Sequence, residues 1–220
     1  RFKNNNLTQK EQTMNQEYFT VERLTKTFDT KVITADFSLK RGQALSLVGA
    51  SGCGKSTILS MIAGLIKPDS GRIFLDGFDI TNKKPYERNI GMVFQNYALF
   101  PHLNVFENIA FGLRSLKLDN AHITDAVNSW LEKLSLTSLK KRSIQNLSGG
   151  EKQRVALART LITEPKVILF DEPLSALDAD LRKHLKVELK VMHEREGYCA
   201  VYVTHDTDEA KYLADTVLRV

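Results

Sequence analysis

The spacing of apolar residues changes along the chain and divides it into parts. From residue 18 to about 47, short runs such as Phe19-Thr20-Val21 and Val32-Ile33 alternate with polar positions. That is the two-residue period of strands that bury one face. Ala44-Leu45-Ser46-Leu47-Val48 then runs straight into a glycine-rich loop. Ile58, Leu59, Ile62 and Leu65 follow at helical spacing and predict a helix with these residues on its buried face. Pro68-Asp69-Ser70-Gly71 reads as a turn, and residues 72–75 as a strand before Asp76-Gly77.

In the middle third, Ile123, Val127, Trp130, Leu131 and Leu134 predict an amphipathic helix over 124–134. With its neighbours it marks a helical insert at about 104–142. Val167-Ile168-Leu169-Phe170 is a continuous apolar run, the pattern of a parallel strand covered on both faces. Leu177, Leu181, Leu185 and Leu189 predict another helix, and Ala200-Val201-Tyr202-Val203 another strand. Helices alternating with apolar strands predict an α/β core with a mostly parallel sheet. Residues 1–15 are almost entirely polar and read as a flexible tail, which leaves 16–220 as the structured part. The sequence stops at Val220 within one more strand-like run, and a truncated C-terminus is expected. No internal repeat is visible.

Composition narrows the classes. With 220 residues, 42% hydrophobic and 26% charged, the chain can bury a sizeable core. The formal net charge of +5 is spread out, with Lys83-Lys84 and Lys140-Lys141-Arg142 as the densest runs, which argues against a nucleic-acid stripe. Two distant cysteines, Cys53 and Cys199, make neither a disulfide framework nor a metal cluster. No apolar run approaches the ~20 residues of a spanning helix, and no signal-peptide pattern opens the chain.

Gly49-Ala50-Ser51-Gly52-Cys53-Gly54-Lys55-Ser56 fits the phosphate-loop pattern, with a predicted strand before it and a helix after it. The glycines let backbone N–H groups curl inward into an anion nest, and the helix adds its positive end. Lys55 is placed for the β- and γ-phosphates, Ser56 for Mg²⁺, and Thr57 for a phosphate oxygen. Cys53 reads as a small residue that fits, or as a thiol exposed to redox chemistry. Further on, the run over 167–170 delivers Asp171 and Glu172 to the carboxyl end of a buried strand, where ligands of parallel sheets bind. Asp171 suits the metal, and Glu172, pointing the other way, suits the activation of water. Ser148 with Glu151 forms a capping box beside Gly149 and Gly150, ahead of a helix predicted over 152–163. This is either simple helix capping or a second anion-binding terminus.

These segments, with Gln95, Ser175-Ala176-Leu177-Asp178 and His205, occur in the order of ABC-type ATPase domains, which the chain resembles from about residue 18 to its end. The resemblance implies a phosphate-loop fold with a mostly parallel core sheet, an N-terminal antiparallel β subdomain and a helical subdomain. It implies ATP with Mg²⁺, and a head-to-tail homodimer in which Ser148, Gly149 and Gly150 of one copy close on ATP held by Lys55 of the other. Gln95 then resembles the glutamine that touches Mg²⁺ and the membrane partner. His205 resembles the histidine that contacts the γ-phosphate, Asp178 the aspartate that communicates across the dimer, and Phe28 the aromatic that stacks on adenine. Transmembrane permease subunits would dock near Gln95, Tyr97 and Phe100 at the cytoplasmic face of the inner membrane, with a solute-binding protein reached indirectly. No nucleic acid is expected.

Residues 88–102 resemble the importer ATPases for polyamines, sugars and ferric iron, and 97–102 with 105–108 favour polyamine. Members of that group usually carry a C-terminal regulatory domain beyond this region. Alternatives stay open at this point. A soluble ABC ATPase of DNA repair would carry a long coiled coil between residues 57 and 147, where no sustained heptads occur. One of translation would carry two such domains. A regulatory module without turnover would be expected to lose Glu172 or His205.

Overall fold

The computed structural model describes residues 17–220 except Ala176. The expected flexible tail, residues 1–15, lies outside the described residues.

The first sheet is antiparallel. β1 (Glu17–Phe28), β2 (Lys31–Lys40), β4 (Ser70–Leu75) and β5 (Phe78–Asp79) lie in the order β2-β1-β4-β5. In β2 burial alternates residue by residue, with Ile33, Ala35, Phe37 and Leu39 inside. The second sheet holds β3 (Ala44–Val48), β6 (Ile90–Val93), β7 (Val167–Asp171), β8 (Cys199–Thr204) and β9 (Thr216–Arg219). Its order is β6-β7-β8-β3-β9 and every ladder in it is parallel.

Each face of the parallel sheet has its own core. Val167 and Leu169 of β7, with Val201 and Val203 of β8, face the antiparallel sheet and helix α1 (Lys55–Ala63). Ile168, Phe170, Ala200 and Tyr202 face the other way. They pack with helices α2 (Val105–Ser115), α3 (Asn120–Lys133), α4 (Gly149–Leu161) and α5 (Ala179–Glu196). Burial on both faces explains the unbroken apolar runs. A short helix α6 (Thr207–Leu213) follows β8. The segment holding α2 and α3 is closed at its neck by a bridge between Asn104 and Ser143, with Val105 N–H on the Arg142 carbonyl at 3.1 Å. Among the described residues, no helix is long and apolar enough to cross a membrane.

Several boundaries differ from the sequence reading. Leu65 is 54% exposed rather than buried. Helix α1 stops at Ala63 because Gly64 takes a left-handed conformation at φ 79° and turns the chain, so Leu65 leaves the helical face. Helix α3 begins four positions earlier than predicted, after Asp119, whose carboxylate accepts from Ala121 and His122 N–H groups. Helix α4 begins at Gly149 rather than Lys152, since Ser148 is its cap. Leu177 lies ahead of the cap Asp178 and is buried outside helix α5.

Candidate active site

The parallel order brings the carboxyl ends of β3, β8, β7 and β6 to one edge. The phosphate loop, His205, Asp171-Glu172 and Gln95 all leave the sheet there, at the edge where α/β sheets bind ligands.

The phosphate loop is built by its glycines. Gly52 and Gly54 sit at φ 78° and 118°, where a side chain would be strained. A Cβ on Gly49 would come within 2.6 Å of the Val220 carbonyl oxygen. Helix α1 starts at Gly54 with no side chain capping its N–H groups. Helices α2 to α6 are each capped by an Asn, Asp or Ser. Helix α1 therefore offers bare donors and the positive end of its dipole to an anion. Lys55 is buried, and its ammonium donates to the carbonyls of Gly49 and Ala50 at 2.8 and 2.9 Å. The Cys53 thiol lies 3.8 Å from that ammonium. Ser51 and Gly52 are exposed on the rim, and Thr57 is half-buried in the first turn.

Next to this loop stand the carboxylates. Ser56 Oγ donates to Asp171 Oδ1 at 2.8 Å. Burial holds the Asp171 carboxyl above its usual range; Ser56 and the Lys55 charge pull it down, and Glu172 pushes it further up. A half-buried carboxylate beside a hydroxyl, both hard oxygen donors, fits Mg²⁺, whose charge would offset the partial burial. Glu172 adopts φ 46°, left-handed for a non-glycine residue, and precedes Pro173, which disfavours the right-handed helical region. Its carboxylate accepts from Gln95 Nε2 at 3.2 Å and lies 3.6 Å from His205 Nδ1. Gln95 Nε2 also reaches Ser175 Oγ at 3.2 Å, and that hydroxyl donates to the Glu172 carbonyl at 3.0 Å. The cleft that holds this cluster is open: the His205 side chain is 61% exposed and that of Glu172 21%.

Phe28 ends β1 with its ring 44% exposed. The hairpin that carries it is fastened to the phosphate loop, for Lys31 Nζ donates to the Gly52 carbonyl and Ile33 packs on Gly54. The Phe28 ring has Lys26 Nζ over it at 5.9 Å from the centroid and is otherwise open to solvent. The Ser148 segment belongs to a different group. Ser148 N–H donates to Glu151 Oε2 at 2.7 Å, and Glu151 N–H returns to Ser148 Oγ at 3.3 Å. Gly149 and Gly150 press on Leu177 and Leu181, where an added Cβ would meet side-chain carbons at 3.2 and 3.0 Å. Asp178 caps helix α5 through the Leu181 N–H at 2.9 Å. The sequence reading gave the two glycines only a backbone role; the structure adds close packing.

Tyr97 corrects another expectation. Its ring is only 8% exposed and belongs to the core, so it is not a surface aromatic for a partner. Phe100 is half-buried and packs at a tilt of 37° against exposed Phe111, with ring centroids 4.3 Å apart. Sequence reasoning missed Ser175 as a partner of Glu172 and Lys31 as a tether. Ser175 opens the Ser175-Ala176-Leu177-Asp178 segment; Lys31 belongs to no pattern in the sequence.

Comparison with known proteins follows the same lines. The ABC transporter family profile matches residues 32–175, more than half of the chain. The spermidine/putrescine import ATP-binding protein PotA of Acetivibrio thermocellus is 48% identical over 200 residues, covering 90% of this chain and 57% of its own length. The Fe(3+) ions import ATP-binding protein FbpC of Photobacterium profundum is 44% identical over 206 residues, 93% of this chain and 59% of that protein. The chain thus spans under two thirds of the length of these relatives. A solved structure of cbiO1 from Clostridium perfringens, part of the ABC transporter complex cbiONQ, superposes with a TM-score of 0.82 at 31% identity, over 93% of this chain and 85% of that one. With its phosphate loop, its Asp171-Glu172 edge and its paired sheets, this chain belongs to the ABC transporter family as an ATP-binding domain.

Proposed function

We propose that the chain hydrolyses ATP to drive a solute importer, working as a head-to-tail pair beneath transmembrane permease subunits. The observation that carries the chemistry is the setting of Glu172. Its carboxylate stands beside the Ser56–Asp171 pair, touched by Gln95 and faced by His205.

The phosphates of ATP would lie on the uncapped start of helix α1, with Lys55 exchanging its carbonyl partners for β- and γ-oxygens. Phe28 stacks on the adenine. Ser56 and Asp171, with Gln95, would hold Mg²⁺, which when bound would supply positive charge to offset that of the phosphates. Glu172 accepts the proton of the attacking water, and His205 contacts the γ-phosphate. Gln95, donating to Glu172, keeps the base turned toward the water. Ser148, Gly149 and Gly150 of a second copy cover the same phosphate, and Asp178 lies across the junction. ATP binding closes the pair, and hydrolysis reopens it.

The relatives named for spermidine/putrescine and for Fe(3+) import support the importer reading. We assign polyamine as the solute, on residues 97–102 and 105–108. The place of action is the cytoplasmic face of the inner membrane, with a solute-binding protein on the far side.

The test is Glu172→Gln on a sizing column with and without Mg-ATP. The expected result is a dimer with Mg-ATP alone, lost on adding Ser148→Arg. A monomer that also fails to bind ATP as wild type sinks the reading. For the solute, stimulation of the reconstituted complex by spermidine, and not by ferric ion, is expected.

A further inference from the structure

Helix α4 is capped by Ser148 and carries Arg159 about 16 Å further along, at ~1.5 Å of rise per residue. The Arg159 guanidinium is half-buried and grips the chain just past Gln95. Its two terminal nitrogens donate to the Ala98 carbonyl at 2.7 Å and the Tyr97 carbonyl at 2.9 Å. Phe100 lies beneath the guanidinium at 5.3 Å.

The backbone it holds is strained. Tyr97 and Ala98 sit at φ 62° and 43°, two successive non-glycine residues in the left-handed region. Such residues visit that region singly at most, and then at a penalty. The turn has local support: Tyr97 N–H reaches the Phe94 carbonyl at 2.8 Å and Ala98 N–H the Asn96 side chain at 3.2 Å. Both carbonyls, however, are met from helix α4. A planar fork can serve two acceptors at once, which a single ammonium cannot do with the same geometry.

Gln95 is two residues before this turn and donates to Glu172. We propose that Arg159 is a positioning residue that straps the far end of helix α4 to the Tyr97–Ala98 turn, so that the setting of Gln95 on Glu172 and the direction of the Ser148 terminus change together. One rigid helix then carries the phosphate-covering terminus at its start and the Gln95 loop at its end. The proposal deepens the hydrolytic reading above and rests on it.

The experiment compares wild type, Arg159→Ala, Arg159→Lys and Arg159→Ala/Ala98→Gly. Steady-state ATP hydrolysis, mant-ATP affinity and hydrogen exchange over residues 94–100 are measured. Losing the strap frees a left-handed residue to relax, so Arg159→Ala is expected to lower kcat about tenfold, with nucleotide affinity within about twofold and faster exchange in the loop. Arg159→Lys falls between. Glycine holds a positive φ without help, so Ala98→Gly in the Arg159→Ala background is expected to recover most of kcat and of the exchange protection. A residue that only packs the helix would gain nothing from that change. The proposal is overturned if Arg159→Ala leaves kcat and exchange unaltered, or if Ala98→Gly recovers neither. Should Arg159→Ala not fold, Arg159→Lys with and without Ala98→Gly decides by the same comparison. If wild type hydrolyses no ATP, the hydrolytic reading fails, and exchange over 94–100 alone decides the strap.

Discussion

Arg88 offers a quantitative check on how helix α1 is anchored. Its side chain is 3% exposed, and burial alone pushes its pKa down. The guanidinium is surrounded by carbonyls. It donates to Met61 and Ile62 at the end of helix α1 at 2.9 and 2.8 Å, to Thr81 at 2.6 Å and to Lys83 at 2.9 Å. The orphan carbonyls that any helix leaves at its carboxyl end are thus tied to the segment leading into β6. Gly64 makes room, since a Cβ there would lie 2.5 Å from Arg88 Nε.

Replacing Arg88 with Met removes all four bonds. Met61 keeps a donor in the Gly64 N–H at 3.1 Å, so Ile62, Thr81 and Lys83 are the carbonyls left without the guanidinium. At about 1–1.5 kcal/mol for each stranded acceptor, less about 1 kcal/mol regained by no longer burying a charge, the net loss is about 3 kcal/mol. For a domain of this size that lowers Tm by about 9 °C. The assay is a urea titration followed by circular dichroism, with the loss read as a shift in midpoint at constant slope. Arg88→Lys, which restores the charge but not the fork, is expected to lose about half as much. A change below about 1 kcal/mol for Arg88→Met would refute the reasoning, for it would mean that water replaces the guanidinium at these carbonyls without penalty.

Two further outcomes follow from the site. Phe28→Ala is expected to weaken ATP binding about tenfold by titration calorimetry, a stacking loss of roughly 1–2 kcal/mol, with little change in Tm because the ring is already 44% exposed; unchanged affinity would remove Phe28 from the site. The raised pKa of Asp171, caused first by burial, makes ionisation destabilising in the folded, nucleotide-free chain: the folded form binds the proton more tightly than the unfolded one, so this contribution to stability falls as pH rises from the ordinary carboxylate range through the raised value. Asp171→Asn is therefore expected to raise Tm without nucleotide at neutral pH, to flatten that part of the pH profile, and to abolish stabilisation by Mg-ATP; a lower Tm would contradict it.

The readable parts of this protein were those whose chemistry lies in adjacent residues or in a regular period. The phosphate loop needs glycine where φ is positive, and Gly52 and Gly54 stand at those positions. The run from Val167 to Phe170 is apolar throughout because alternate residues fill two different cores, and its end delivers Asp171 and Glu172 to the edge. What the sequence concealed depends on where single residues turn. Leu65 kept the helical spacing but lies beyond a left-handed Gly64. Tyr97 looked like a surface aromatic, yet the left-handed turn at Tyr97 and Ala98 accompanies a ring placed in the core. Arg88 and Arg159 find backbone carbonyls as partners, and a carbonyl has no residue type for a pattern to reveal.

The two helix starts that read alike in the sequence differ in one respect that bears on the proposed cycle. Helix α1 is uncapped, so its N–H groups need an anion. Helix α4 caps itself through Ser148 and Glu151. The two bonds of that box are unequal, 2.7 Å from Ser148 N–H to the carboxylate and 3.3 Å from Glu151 N–H to the Ser148 hydroxyl. The hydroxyl is held by the longer and weaker of them. On the proposed reading, a phosphate therefore meets bare donors at helix α1, while at helix α4 it meets a terminus already capped, where the Ser148 hydroxyl accepts from Glu151 N–H and keeps its own proton to donate. That difference orders the events: nucleotide loads on the phosphate loop of one copy, and the Ser148 terminus of the other engages only a phosphate already fixed there.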